Sequence, residues 1–149
     1  MFCDYAEEII YRDDIVIEHI FVPIRELHAA AESRRYVTKV NISKAPFWKR
    51  LKYTIRPKIY AGGLLHTRSM EHGKQEDILL KHTYNLMFVL SDKTIPVTFL
   101  RYPKIIKDCQ YLFDKLKPIL KNIPFKSFCE AFEKTANPKL VHRFSKKDI

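Results

Sequence analysis

The stretch "FVPIRELHAAAESRR", residues 21–35, puts Arg25 directly after a strand-like apolar run and Ser33 eight residues further on, within alanine-rich sequence that favours helix. These residue types suit the capture of an anion. A helix N-terminus offers unpaired amides and the positive end of its dipole, a guanidinium adds a charge-assisted and often bidentate grip, and a hydroxyl can donate one more hydrogen bond. Spacing restricts how they meet. On one continuous helix, positions eight residues apart are separated by about 12 Å and roughly 80° of rotation. Arg25 must therefore stand in the turn before the helix if its side chain and the Ser33 hydroxyl are to converge. The competing reading is a surface arginine and an ordinary small helix residue. Arg34 and Arg35 read as solvated charges that add to the local field.

Other groups carry less specific chemistry. His66 lies just after Gly62 and Gly63, in a loop where an imidazole of ordinary pKa, about 6.5, could approach a substrate hydroxyl as general base. A plain loop histidine, or one that helps to bind substrate, fits the same position. His19, His28, His72, His82 and His142 show no ligand spacing of a known metal motif, so no metal site is expected. The acidic pairs Glu7–Glu8 and Asp13–Asp14 read as solvated charges, and the catalytic residue stays unknown. The basic, aromatic stretch "KAPFWKRLKYTIRPKIY" could stack sugars or bases on Phe47, Trp48 or Tyr53 while its lysines meet phosphate or sulfate. Equally, it could be a lid whose aromatics pack onto the core.

The elements that must position these groups follow from pattern. The 149 residues, 46% of them hydrophobic, suffice for a single domain with a real core. The formal charge of +10 points to anionic partners without choosing among phosphates, sulfates, polysaccharide and nucleic acid. Cys3, Cys109 and Cys129 form an odd set without a C-x-x-C pair, which fits free thiols in a reducing compartment and hence the cytoplasm. The acidic first residues do not resemble a signal peptide, and no apolar run reaches the length of a membrane span.

A short amphipathic helix is expected over residues 4–12, and a mostly buried strand from Ile15 to Val22, stopped by Pro23. Helix follows from Arg25 to about Val40. Residues 41–70 lose any period and form a long basic loop containing Pro46, Trp48, Pro57, Gly62 and Gly63. A helix from about Glu71 to Asp92 leads to a second strand in "IPVTFLRYP". Asp108 can cap a further helix carrying Leu112, Phe113, Leu116, Ile119 and Leu120, and a last helix runs from Lys126 to about Ala136. Strands and helices in this order predict a three-layer α/β fold with a short parallel sheet flanked by helices.

Strand, Arg25 and a helix bearing Ser33 together resemble the second nucleotide-binding element of the sulfotransferases that use phosphoadenosine phosphosulfate (PAPS), a branch of the P-loop fold. "YAGGLLHT", the segment from Gln75 to Leu120 and the segment from Phe125 to His142 are similar to the later part of such enzymes. The resemblance implies that Arg25 and Ser33 contact the 3′-phosphate of PAPS as co-substrate. It also implies sulfuryl transfer to a hydroxyl acceptor, a carbohydrate or a small metabolite. The family's glycine-containing phosphosulfate loop has no counterpart before Arg25, and the catalytic base usually lies in that same portion. The expectation is thus an N-terminally truncated, P-loop-like domain whose activity depends on restoring that loop. A sheet edge left open by the absent first strand could receive a partner chain or a second copy. The alternative is a non-catalytic basic module that grips nucleic acid or an anionic polymer through residues 44–58.

Overall fold

The computed structural model describes residues 6, 8–48, 50–51 and 73–144. The architecture is mixed α/β. Strand β1 (Ile20–Ile24) is followed by helices α1 (Leu27–Lys44) and α2 (Lys74–Ser91). Strand β2 (Val97–Arg101), helices α3 (Lys104–Lys107), α4 (Cys109–Leu116) and α5 (Phe125–Thr135), and a 3₁₀ turn at Pro138–Leu140 complete the order. Two compact units are distinguished, Met1–Tyr11 with Leu27–Asp92 and Arg12–Glu26 with Lys93–Ile149. Among the described residues no helix is long and apolar enough to cross a membrane.

In the first unit α1 packs on α2. Ala29 and Ala31 are buried on α1, and small side chains there let another backbone come close. Leu79 and Leu90 are buried on α2, whose first turn carries Glu76 and Asp77, the charge sign that a helix N-terminus favours. Gly73, with φ of 83°, turns the chain into α2 through the left-handed region that glycine enters without penalty. Helix α1 runs on to Lys44, and residues 47–48 and 50–51 are helical, so the basic loop expected from residue 41 starts later than its composition suggested. The Arg50 guanidinium stabilises this extension by donating to the carbonyls of Ala45, at 2.8 Å, and Ser43, among the acceptors that a helix end leaves without intrahelical partners.

In the second unit β1 and β2 pair in parallel, Ile20 opposite Val97 and Ile24 opposite Arg101. The parallel pairing agrees with the sequence expectation, whereas the strand position does not. Ile15 and Val16 lie outside β1 and are exposed, Val16 at 89%, while Pro23 lies inside the strand. The hydrogen-bond ladder explains why proline is tolerated. The Ile20 amide donates to Pro96 O at 2.9 Å and Ile24 O accepts from the Tyr102 amide at 2.7 Å, so even-numbered positions face β2. Pro23, one step out of phase, directs its hydrogen-less nitrogen away from the ladder.

Asp108 caps α4 as expected, its Oδ1 accepting from the Tyr111 amide at 2.8 Å. The helix stops at Leu116 rather than reaching Leu120, because Pro118 cannot donate onward; the Leu116 carbonyl instead accepts from the amides of Ile119 and Leu120. Phe113 meets Phe125 and Phe128 edge-to-face, with centroids 5.1 and 5.2 Å apart. Beside this cluster Cys109 and Cys129 form a disulfide across a Cα separation of 6.0 Å. This corrects the expectation of free thiols at these two positions, which are 20 residues apart without any pairing motif. The cytoplasmic reading, which stood on those thiols, loses that support.

Candidate functional site

Arg25 is the first residue after β1, and it precedes Leu27, where α1 begins. It therefore stands in the turn that the spacing argument required. The guanidinium is half-buried and held from several sides. One Nη donates to the carbonyl of His142 at 2.6 Å, and Cζ lies 4.8 Å from the ring centroid of Tyr102 and 5.6 Å from that of Phe144. The ladder itself sets the Tyr102 contact, because the Tyr102 amide that binds Ile24 O fixes the residue after β2 beside the residue after β1.

Further groups collect at this carboxyl end of the sheet. The Arg101 amide donates to the Tyr111 hydroxyl at 2.9 Å, tying the end of β2 to α4. The ammonium of Lys104 lies 4.6 Å from the Tyr111 ring centroid and 3.6 Å from the Asp108 carboxylate. In an open α/β sheet the crevice beyond the carboxyl ends of parallel strands is where ligands bind. Arg25 lies at that edge, together with Lys104 and its partner Asp108. At the other end of the strands His19 stacks on Phe21, centroids 4.5 Å apart, and exchanges a 2.8 Å hydrogen bond with the Thr98 hydroxyl.

Ser33 lies on α1, half-buried, and belongs to the first unit, whereas Arg25 belongs to the second. His66 and the run from Lys52 to Lys58 fall outside the described residues. Within the remainder of the aromatic stretch, Phe47 and Trp48 are 69% and 78% exposed and meet edge-to-face at 5.7 Å.

A second charged constellation escaped the sequence reading. Arg35, expected in solvent, is 3% exposed, and its guanidinium pairs with Glu32 at 2.5 Å and in a two-pronged contact with Glu76. His28 approaches Glu76 at 3.3 Å. Burial pushes the Glu76 carboxyl up, but the hydrogen bonds from Arg35, its own backbone amide and His28, together with the Arg35 charge, outweigh this and hold the group at about 2. His28, Glu32 and Glu76 bring donor atoms within 4.8 Å of one another, a grouping that could hold a cation; the Arg35 guanidinium supplies positive charge to both carboxylates. The spacing of His28, Glu32 and Arg35 on one helix face was available as a signal, while their partner Glu76 comes from a helix 48 residues away from His28. No family model, curated protein or solved structure matches the chain.

Proposed function

We propose that the chain is a sulfotransferase-like nucleotide-binding protein in which Arg25 grips the 3′-phosphate of PAPS. The observation that carries this reading is the placement of a half-buried guanidinium immediately beyond the carboxyl end of a parallel strand and immediately before a helix. A phosphate at that point would meet a charge-assisted donor oriented by the His142 carbonyl and the Tyr102 ring. In the reaction this implies, an acceptor hydroxyl on a carbohydrate or small metabolite attacks sulfur in line. Cations of the completed site then offset the charge that builds on the leaving phosphate. The 5′-phosphosulfate loop would come from outside residues 1–149. Calorimetry with phosphoadenosine phosphate on wild type and Arg25→Ala tests the reading. Binding lost in the variant supports it, and equal binding by both proteins rejects the role of Arg25.

The exposed Phe47–Trp48 pair favours a second reading, an aromatic platform for nucleic acid or another anionic polymer. Salt separates the two. Polymer held through many phosphates should dissociate steeply and log-linearly with salt, and Trp48→Ala should weaken it, whereas a single pocketed nucleotide should respond far less.

A further inference from the structure

Helix α5 is weakly anchored for an element that a sensitive contact depends on. No residue of α4 or α5 is fully buried. A cleft of about 520 Å³ is lined by Leu112 and Leu116 of α4 and by Phe128, Ala131 and Phe132 of α5, so an opening lies where a helical hairpin would ordinarily place its core. The Phe113–Phe125–Phe128 cluster and the Cys109–Cys129 bond join the helices. Beyond α5 the chain passes through the 3₁₀ turn at Pro138–Leu140 and reaches His142 and Phe144, the residues that engage Arg25.

We propose that the Cys109–Cys129 disulfide is a redox-sensitive staple that keeps α5 docked and, through it, keeps the segment His142–Phe144 on Arg25. Both cysteines are half-buried rather than sealed, so a small dithiol can reach them. One thiolate of the dithiol attacks a cysteine sulfur, forms a mixed disulfide and releases the other cysteine as a thiol. Its second thiolate then displaces the first cysteine. Two electrons pass to the protein, which gains two thiols with protons from water, and the reductant leaves as a cyclic disulfide. Once the bond opens, α5 loses its covalent tie to α4 and keeps only side-chain packing such as that of Phe125 and Phe128 on Phe113, and the strap over Arg25 loosens with it. The inference stands independently of the nucleotide reading, because its subject is the docking of α5 and not the ligand.

Thiol counting and hydrogen exchange test it on the full chain. Alkylation in denaturant without reductant should label one cysteine, Cys3; three labels would overturn the staple. In native protein, reduction with dithiothreitol should speed amide exchange over residues 125–144 by about 100-fold, in line with the loop-closure effect of a bond spanning some 20 residues, while β1 and β2 keep their protection. Unchanged exchange over 125–144 would overturn the proposal, as would equal acceleration in the strands, which would make the bond a support of the whole unit and not a control on α5. Cys109→Ser/Cys129→Ser should reproduce the reduced state without responding to dithiothreitol. If that variant does not fold, wild type reduced and alkylated in place carries the same comparison.

Discussion

Arg35 and Arg25 are ten positions apart in the sequence and are held in contrasting ways. Arg35 sits in the first unit at 3% exposure with the carboxylates of Glu32 and Glu76 on its guanidinium. Arg25 sits in the second unit, half-buried at a strand end, against a backbone carbonyl and two aromatic faces. A carbonyl and a ring orient a cation without cancelling its charge, whereas carboxylates cancel it. Arg35 therefore joins two helices through its charge, whereas the contacts named for Arg25 fix its orientation at the end of a parallel strand.

The largest effect should come from the partner of the buried cation. Glu76→Gln removes one of the two carboxylates on the buried Arg35, leaving Glu32, and is expected to lower stability by about 2–3 kcal/mol. Arg25→Ala should stay within about 1 kcal/mol of wild type, as changes away from a core usually do. Chemical denaturation of both variants checks this, and similar losses in the two would break the contrast.

Acid should act on the same arginine through its partner. The Glu76 carboxyl is held at about 2 in the folded chain against an ordinary value of 4.5. Its folded pKa is depressed, so its contribution is complete above 4.5, the ordinary value, and is lost as pH falls towards about 2. Denaturation midpoints measured at pH 6, 4 and 3 should therefore fall more steeply for wild type than for Glu76→Gln. Parallel curves would show that the ion pair does not hold the two helices.

A smaller effect sharpens the picture on the other side. Asp108→Ala removes the cap of α4 and should reduce stability by about 1 kcal/mol, read as a lower melting temperature.

Local chemistry was legible in the sequence, and what long-range contacts decide was not. The Asp108 cap and the apolar period of α2 each arise from forces acting within a few residues, and each is found where the pattern put it to within a few positions, whereas β1 begins five residues later than its β-branched run. Pro23 and Pro118 show the limit of residue-by-residue rules. The former is accepted because its nitrogen falls on the outward phase of the ladder, and the latter ends a helix whose apolar spacing continues past it. Arg35 departs from its expected exposure because its burial depends on Glu76, 41 residues away; its i, i+3 spacing from Glu32 signals a pairing and not burial. The cysteine pairing was hidden for the same reason: it requires α4 and α5 to lie together, a fact of packing with no local signature. For the candidate site, the turn position of Arg25 was deducible from helix geometry, while its bracing by Tyr102, His142 and Phe144 belongs to the fold.

The phase of Pro23 has a further consequence. Among the described residues β1 pairs with β2 alone, and Pro23 is exposed. A visiting strand laid along the outer side of β1 would find a ring methylene at the place where it seeks a proton, at the fourth of five residues. Docking there would forfeit one of the few bonds that so short a strand offers on that side, so the segment carries its own guard against fibre-like growth from copy to copy.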